Sequence, residues 1–473
     1  MTQTAKDEQL ERGLTNRHLQ LLAIGGTIGT GLFLGVGKTI IIAGPSTVLA
    51  YLVAGTICFF SMRVLGEMLL SNLGFRTFRD VTSAYLGHWA GFFIGWIYWF
   101  VWISASILDS VAVGIYVQEY FPNLPVWISP VILLFIILII NIGSVKNFGE
   151  AEFWLAIVKI VAIVLLIAVG IYLLVSQHIY QFTFVENNKV YSETLSANIG
   201  NLFNYEGFFP NGLIGFATGF QMAFFAFGGI ESIASTSAET QNPEKIMPRA
   251  INSIPIRILL FYVTSIFVIL CCVPWNRITM IKGSPFANIF SAVGLPEVGA
   301  FMIIVLITAA ASGANAGIYV SSRMLYGLSA DRQIPEIFSK TSKKHSPVFA
   351  LLFCVGLVII VDIIGSLAFG NPMQEFSFFA SMATVGVATV WILVLSTYFV
   401  YRKKFPELHK ISKFKAPCGI VLSIISISVF TIMYITMFFE TDTRFAIIIT
   451  FIIAATILLI YHFKIRKIEN IDF

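Results

Sequence analysis

The chain has 473 residues, 57% hydrophobic and 12% charged, with a net charge of +5 and a mean hydropathy of +0.85. A charged fraction about half the soluble norm, with apolar runs of about 20 residues from end to end, each long enough to cross a hydrocarbon core, excludes a soluble globular protein. The five cysteines carry no CxxC spacing and the six histidines are scattered, so no metal, no disulfide, no catalytic set and no cofactor is expected.

The first 18 residues are polar and lack the apolar core of a secretory signal, which predicts a retained cytoplasmic segment over 1–18. Apolar spans then follow near 19–40, 46–70, 89–117, 126–142, 153–175, 215–238, 251–273, 298–328, 348–368, 376–400, 418–439 and 443–463. The expected fold class is an all-α polytopic membrane protein of twelve transmembrane helices. Most Lys and Arg residues fall at the N-terminus, in loops after even-numbered spans and in the tail, including Arg76, Arg79, Lys245, Arg249, Lys340 and the stretch "YRKKFPELHKISKFK". By the positive-inside rule both termini are cytoplasmic, and the location is the cell membrane. The longest non-helical stretch, 177–212, lies outside on that count, as a cap over a vestibule or as a plain connector.

Two spans break the rules of the bilayer. In "AIGGTIGTGLFLGVG", residues 23–37, six of fifteen residues are glycine, each worth about 1 kcal/mol against helix relative to alanine. In "FQMAFFAFGGIESIASTSAET", Gly228 and Gly229 precede an acid, Glu231, inside an apolar run. Unwound backbone at membrane depth is tolerated where it lines a protein cavity, and two glycine-interrupted spans in corresponding places point to an inverted-repeat transporter. Amides near Thr30 and Gly31 would face an anion, and carbonyls of the preceding half-helix a cation, a pairing that fits an α-amino acid. The competing reading of the glycines is close helix packing, as in "GLFLG", and Gly35 and Gly37 are assigned to it.

Charge inside spans is the third feature. Arg63 and Glu67 read as an i,i+4 structural pair. Lys159, with no acid within six positions, reads either as a buried proton switch or as a snorkelling side chain. Asp109 reads as a gate or proton carrier, or as a helix–helix anchor, and Glu231 as a tie for the loosened backbone.

At these residues the sequence resembles the amino-acid permease branch of the amino acid, polyamine and organocation (APC) transporter superfamily, from "LTNRHLQLLAIGGTIGTGLFLG" through "KNFGEAEFWLAIVKI" and "FAFGGIESIASTSAETQNPEKIMPRAINSI" to "SSRMLYGLSADRQIP". Within it the chain is most similar to the D-serine/D-alanine/glycine permeases, on "PRAINSIPIRILLFYV", Asp109 and "YFVYRKKFPELHK". The resemblance implies the APC fold, a five-plus-five inverted repeat with two further helices: a first repeat over 19–175, an extracellular connector over 176–214, a second repeat over 215–400, a loop and two helices over 401–463, and a tail over 464–473. It implies substrate contacts at Gly26, Thr27, Ile28, Thr30, Gly31, Phe225, Phe227, Gly228, Gly229 and Ile230. It further implies proton coupling at Lys159 and Asp109, with support from Glu231, Ser312 and Asn315. Gly228 departs from the valine expected of the D-serine type, which enlarges the pocket. The expected function is import of small neutral amino acids (glycine, D-alanine, D-serine) with protons. Import of other neutral L-amino acids, or exchange, are the alternatives. The expected partners are a small neutral amino acid, a proton and membrane lipids, with no nucleic acid.

Overall fold

In hydrocarbon every backbone N–H and C=O has to be paired within the chain, and a helix pairs them locally. The computed structural model describes residues 28–72, 74–75, 77–142, 145–186, 189–231, 243–278, 280, 284–292, 294–342 and 346–465, and within these ranges it is built almost wholly of helices. In chain order they are α1 (Thr30–Phe33), α2 (Gly35–Ala43), α3 (Thr47–Ser71), α4 (Phe78–Leu86), α5 (His88–Tyr120), α6 (Ile128–Ile142), α7 (Val145–Val175) and α8 (Gly212–Ala226). The second part contains α9 (Pro243–Asn252), α10 (Ile254–Arg257), α11 (Thr264–Cys272), α12 (Trp275–Ile278), α13 (Pro285–Ala292), α14 (Pro296–Ala330) and α15 (Val348–Phe369). The last four are α16 (Pro372–Lys404), α17 (Pro406–Ile411), α18 (Gly419–Phe439) and α19 (Thr441–Ile460). A π-helical turn, Ile258–Val263, joins α10 to α11.

Among the described residues nine helical stretches are long and apolar enough to cross a membrane, the first of them Thr30–Ser71, which includes α1 to α3. Two shorter apolar helices, α6 and α8, accompany them. The core lies along α5, which packs against both α14 and α16. Small residues allow this approach: a Cβ on Gly313 would collide with the Asp109 carboxylate and one on Gly317 with Ser106, so "GANAG" on α14 is a close-packing stripe against α5. At the periphery, α18 and α19 leave Ile432, Phe439, Phe445 and Ile452 exposed, an apolar face of the kind that meets lipid tails.

The expectation of an all-α chain needs one correction. The connector carries an antiparallel hairpin, β1 (Ile179–Glu186) and β2 (Lys189–Ser196), in register from Ile179 opposite Ser196 to Glu186 opposite Lys189. Its cause is a period of two: Tyr180 and Phe182 alternate with exposed Ile179 and Gln181 and turn one face inward. The hairpin is fastened to the bundle. The Tyr180 hydroxyl donates to the Cys272 carbonyl at 2.6 Å, Asn201 Nδ2 donates to the Cys271 carbonyl at 2.8 Å, and Arg277 pairs with Glu193 at 2.7 Å.

Arg63 and Glu67 do not form the expected i,i+4 pair. Arg63 reaches across to Asn252 Oδ1 at 2.8 Å and the Lys415 carbonyl at 2.5 Å. Glu67, fully buried, accepts from the Tyr398 hydroxyl at 3.0 Å and the Ala416 N–H at 2.7 Å, and meets His409 Nδ1 at 2.5 Å. Arg63 joins α3 to α9 and to the segment after α17, and the buried Glu67 carboxylate joins α3 to α16, α17 and that same segment, where it gains more partners than along one helix face.

Candidate functional site

The helix formed by α1 and α2 begins at Gly29, which caps it with extended backbone (φ −144°, ψ −160°) and no side-chain hydrogen bond. The Gly29 carbonyl accepts from the N–H groups of Leu32 and Phe33, each at 3.1 Å. Among the described residues none accepts from the N–H of Thr30 or Gly31, two of the groups a helix start leaves open. A Cβ at Gly29 would meet nothing within 4 Å, whereas one at Gly31 would stand 2.7 Å from Ala226 Cα and 2.9 Å from Phe225 Cδ1. Gly31 is therefore the point where the start of α1 and the end of α8 touch backbone to backbone. Gly35 and Gly37 face Met222 and Pro285 at 3.4 and 3.2 Å, as packing positions do.

At the second break α8 ends at Ala226 and the chain turns through Phe227–Glu231. Gly229 has φ +89°, a conformation that favours glycine, and its N–H donates to Glu231 Oε1 at 3.2 Å. Both breaks are tied in the same manner from a neighbouring helical segment. The Tyr51 hydroxyl donates to the Gly31 carbonyl at 3.2 Å and the Tyr262 hydroxyl to the Ala226 carbonyl at 3.0 Å. The two tyrosine rings stack at 6.2 Å, and Phe227 packs against Tyr262 at 4.5 Å.

Between the breaks lies a cavity of about 90 Å³. Ile28, Thr30 and Gly31 line it from the first break, and Phe225, Gly228, Gly229 and Glu231 from the second. Asp109, Lys159 and Ser312 complete its polar wall, while Trp102, Val101 and Val387 supply apolar surface. Phe227 and Ile230 are buried away from it, and Asn315 stands one layer behind. Gly26 and Thr27 lie outside the described residues. At Gly228 a Cβ would come within 3.0 Å of the Phe225 carbonyl, with Val387 at 3.9 Å.

The polar wall is a connected network. Lys159 is buried, which rules out snorkelling, and its Nζ donates to Ser312 Oγ at 2.8 Å. Ser312 Oγ donates to Glu152 Oε2 at 2.6 Å, Asn315 Nδ2 donates to Glu152 Oε1 at 2.8 Å, and Asn141 Nδ2 donates to Asn315 Oδ1 at 2.7 Å. Asp109 accepts from the Thr30 hydroxyl, tying α5 to the first break. Buried charge is tolerable where hydrogen bonds satisfy it, and here an ammonium and a carboxylate are bridged by one serine hydroxyl. Sequence reasoning missed Glu152, which lines the same cavity. It stands seven positions before Lys159 on α7, two turns along the same face, and that spacing is the signal that could have found it.

The amino acid permease family model matches residues 18–469. The chain belongs to the amino acid permease family. This permease is 44% identical to the D-serine/D-alanine/glycine transporter of Escherichia coli (strain K12) over 451 residues, covering 95% of this chain and 93% of the relative. It is 41% identical to the amino-acid permease AapA of Bacillus subtilis (strain 168) over 463 residues, covering 98% and 96%. With its many apolar helices, the permease is a multi-pass membrane protein.

Proposed function

We propose that this permease imports small neutral amino acids, glycine, D-alanine and D-serine foremost, together with a proton by alternating access. The observation that carries this reading is the convergence of both broken helices and the Lys159–Ser312–Glu152 network on one small cavity. The amides of Thr30 and Gly31, which have no acceptor among the described residues, suit the substrate carboxylate, and the family resemblance assigns Gly26, Thr27 and Ile28 to its ammonium. The walls at Gly29, Gly228 and Ala316 suit a short side chain, with Phe225 and Trp102 as its apolar boundary. The printed name of the E. coli relative, at 44% identity, supports the substrate class.

In this reading the chain makes twelve spans, a five-plus-five inverted repeat and two further helices, with both termini cytoplasmic in the cell membrane. Lys159 takes and releases the coupled proton, Asp109 sets the charge beside the substrate through Thr30, and Ser312 transmits the change to Glu152. The Gly229 tie to Glu231 keeps the second break in shape as the bundle rocks. The test is uptake of radiolabelled glycine into proteoliposomes, competed by a panel of L- and D-amino acids at two pH values, for wild type and Lys159→Ala. Wild type is expected to accumulate glycine under an inward proton gradient, with D-alanine and D-serine as strong competitors, and Lys159→Ala is expected to lose accumulation. Unchanged, protonophore-sensitive accumulation by Lys159→Ala contradicts the coupling role, and uptake that requires internal amino acid makes the protein an exchanger.

A further inference from the structure

The stretch 405–418 joins α16 to α18, two helices long and apolar enough to cross a membrane, so it runs along one end of the bundle at bilayer-surface level. Its lysines face outward. Lys403, Lys404, Lys410, Lys413 and Lys415 are exposed, and among the described residues only Lys410 has an acidic partner, Glu407 at 2.8 Å. Glu407 is the sole acid between Arg402 and Lys415. Phe405 and Ile411 stand among the lysines, 40% and 74% exposed. Through its Asn252, which Arg63 also reaches, α9 adds exposed Lys245 and Arg249 to the same end, against Glu244.

The backbone beneath these side chains is held from α3. Arg63 donates to the Lys415 carbonyl at 2.5 Å, and its guanidinium lies 4.0 Å over the Phe414 ring. The buried Glu67 carboxylate accepts from the Ala416 N–H at 2.7 Å and meets His409 Nδ1 at 2.5 Å. Arg402 donates to the Tyr398 hydroxyl at 3.0 Å, and that hydroxyl donates to Glu67 in turn. Arg63, Arg402 and His409 therefore serve the fold, while Lys403, Lys404, Lys413 and Lys415 are left to the surroundings. Membrane orientation needs only the positive charge of such a loop. It requires neither a pinned backbone nor exposed apolar side chains between the lysines. Cations interleaved with exposed Phe and Ile at bilayer level make an interfacial segment, in which the apolar groups enter the acyl boundary and the cations meet headgroups.

We propose that residues 403–415 form a docking surface for anionic phospholipid headgroups of the inner leaflet. Lys403, Lys404, Lys413 and Lys415 meet the phosphates, and Phe405 and Ile411 anchor the loop in the acyl boundary. Charge complementarity selects this occupant: the cytoplasmic leaflet carries net negative charge, and a loop between two spans stays at its surface. The dock is linked to the transport site by observed contacts. The α3 helix that Arg63 and Glu67 fasten to the loop also carries Tyr51, which donates to the Gly31 carbonyl at the first break. A headgroup on the loop thus braces the helix that holds the break. This site rests on the orientation in the proposed reading, which puts the loop inside.

The test measures radiolabelled phosphatidylglycerol or phosphatidylcholine retained on the immobilised full-length permease in detergent, with thermal unfolding measured alongside. Wild type is expected to retain phosphatidylglycerol about tenfold or more over phosphatidylcholine and to gain unfolding midpoint with the anionic lipid alone. The preference is expected to vanish in about 1 M salt, where the screening length falls to about 3 Å. A variant combining Lys403→Gln, Lys404→Gln, Lys413→Gln and Lys415→Gln is expected to lose it, and a variant with Arg at the same four positions to keep it. Equal retention of the two lipids by wild type, or a preference that survives salt or the glutamine substitutions, overturns the dock. The salt measurement decides even where the glutamine variant fails to fold. Displacement of phosphatidylglycerol by millimolar inorganic phosphate makes this a free-anion site and overturns the lipid assignment. Cys418, the exposed cysteine at the end of the loop, reports the side of the membrane. Labelling by an impermeant maleimide in opened cells alone supports the inner leaflet, whereas labelling in intact cells overturns the orientation, whatever the lipid titration gives.

Discussion

At the first break a Cβ on Gly29 has no neighbour within 4 Å and the N–H groups of Thr30 and Gly31 no acceptor among the described residues, while at the second the Gly229 N–H is taken by Glu231. The two segments share a cavity and a tyrosine tie, yet one presents donors and the other satisfies its own. In the proposed reading the difference divides the labour: recognition of an anionic group is assigned to the first break, and a wall and a shaped pivot to the second. Gly31 against Ala226 is where the two are registered, at a distance that admits no side chain.

The largest expected effect comes from breaking that contact. Gly31→Val puts atoms where Ala226 backbone stands, an overpacking strain of about 1–3 kcal/mol, and transport is expected to fall to background while membrane-fraction yield by immunoblot stays near wild type. Normal uptake by this variant would show that the breaks do not need to touch. A smaller and more discriminating effect is expected at the tyrosines. Tyr51→Phe and Tyr262→Phe each remove one hydroxyl–carbonyl bond worth about 1 kcal/mol, which corresponds to about a fivefold change. Initial-rate kinetics should place the Tyr51→Phe effect in KM and the Tyr262→Phe effect in the maximal rate. Both variants moving the same constant would erase the distinction between the breaks.

Both breaks were legible in the sequence because glycine in an apolar span carries a known cost, and an acid directly after one of them marks backbone that needs partners. The residues behind them were harder to read for a definite reason. Hydropathy starts the fifth and tenth spans at 153 and 376, one residue after Glu152 and Glu375, since a charged side chain reads as the end of a span. In the folded chain both are buried: Glu152 is joined through Ser312 of a distant helix to Lys159 of its own, and Glu375 lies against Gly365 of α15. Asp362 of α15 lies in mid-span, and its 2.7 Å contact with Ser110 Oγ spans 252 positions, which no local pattern encodes. The hairpin carried a readable signal, alternating Tyr180, Phe182 and Phe184 followed by Asn187 and Asn188, hidden by the expectation that a membrane bundle has only helices.

The central claim is that the cavity beside the first break holds the substrate. Gly29 tests it most directly, because φ there is negative and a methyl group would meet nothing within 4 Å among the described residues. Equilibrium binding of radiolabelled glycine and D-alanine to purified wild type and Gly29→Ala, alongside thermal unfolding of each, is the measurement. The account predicts an unchanged unfolding midpoint with affinity lowered about tenfold or more, D-alanine suffering more than glycine. Equal affinities in the two proteins would place the substrate elsewhere.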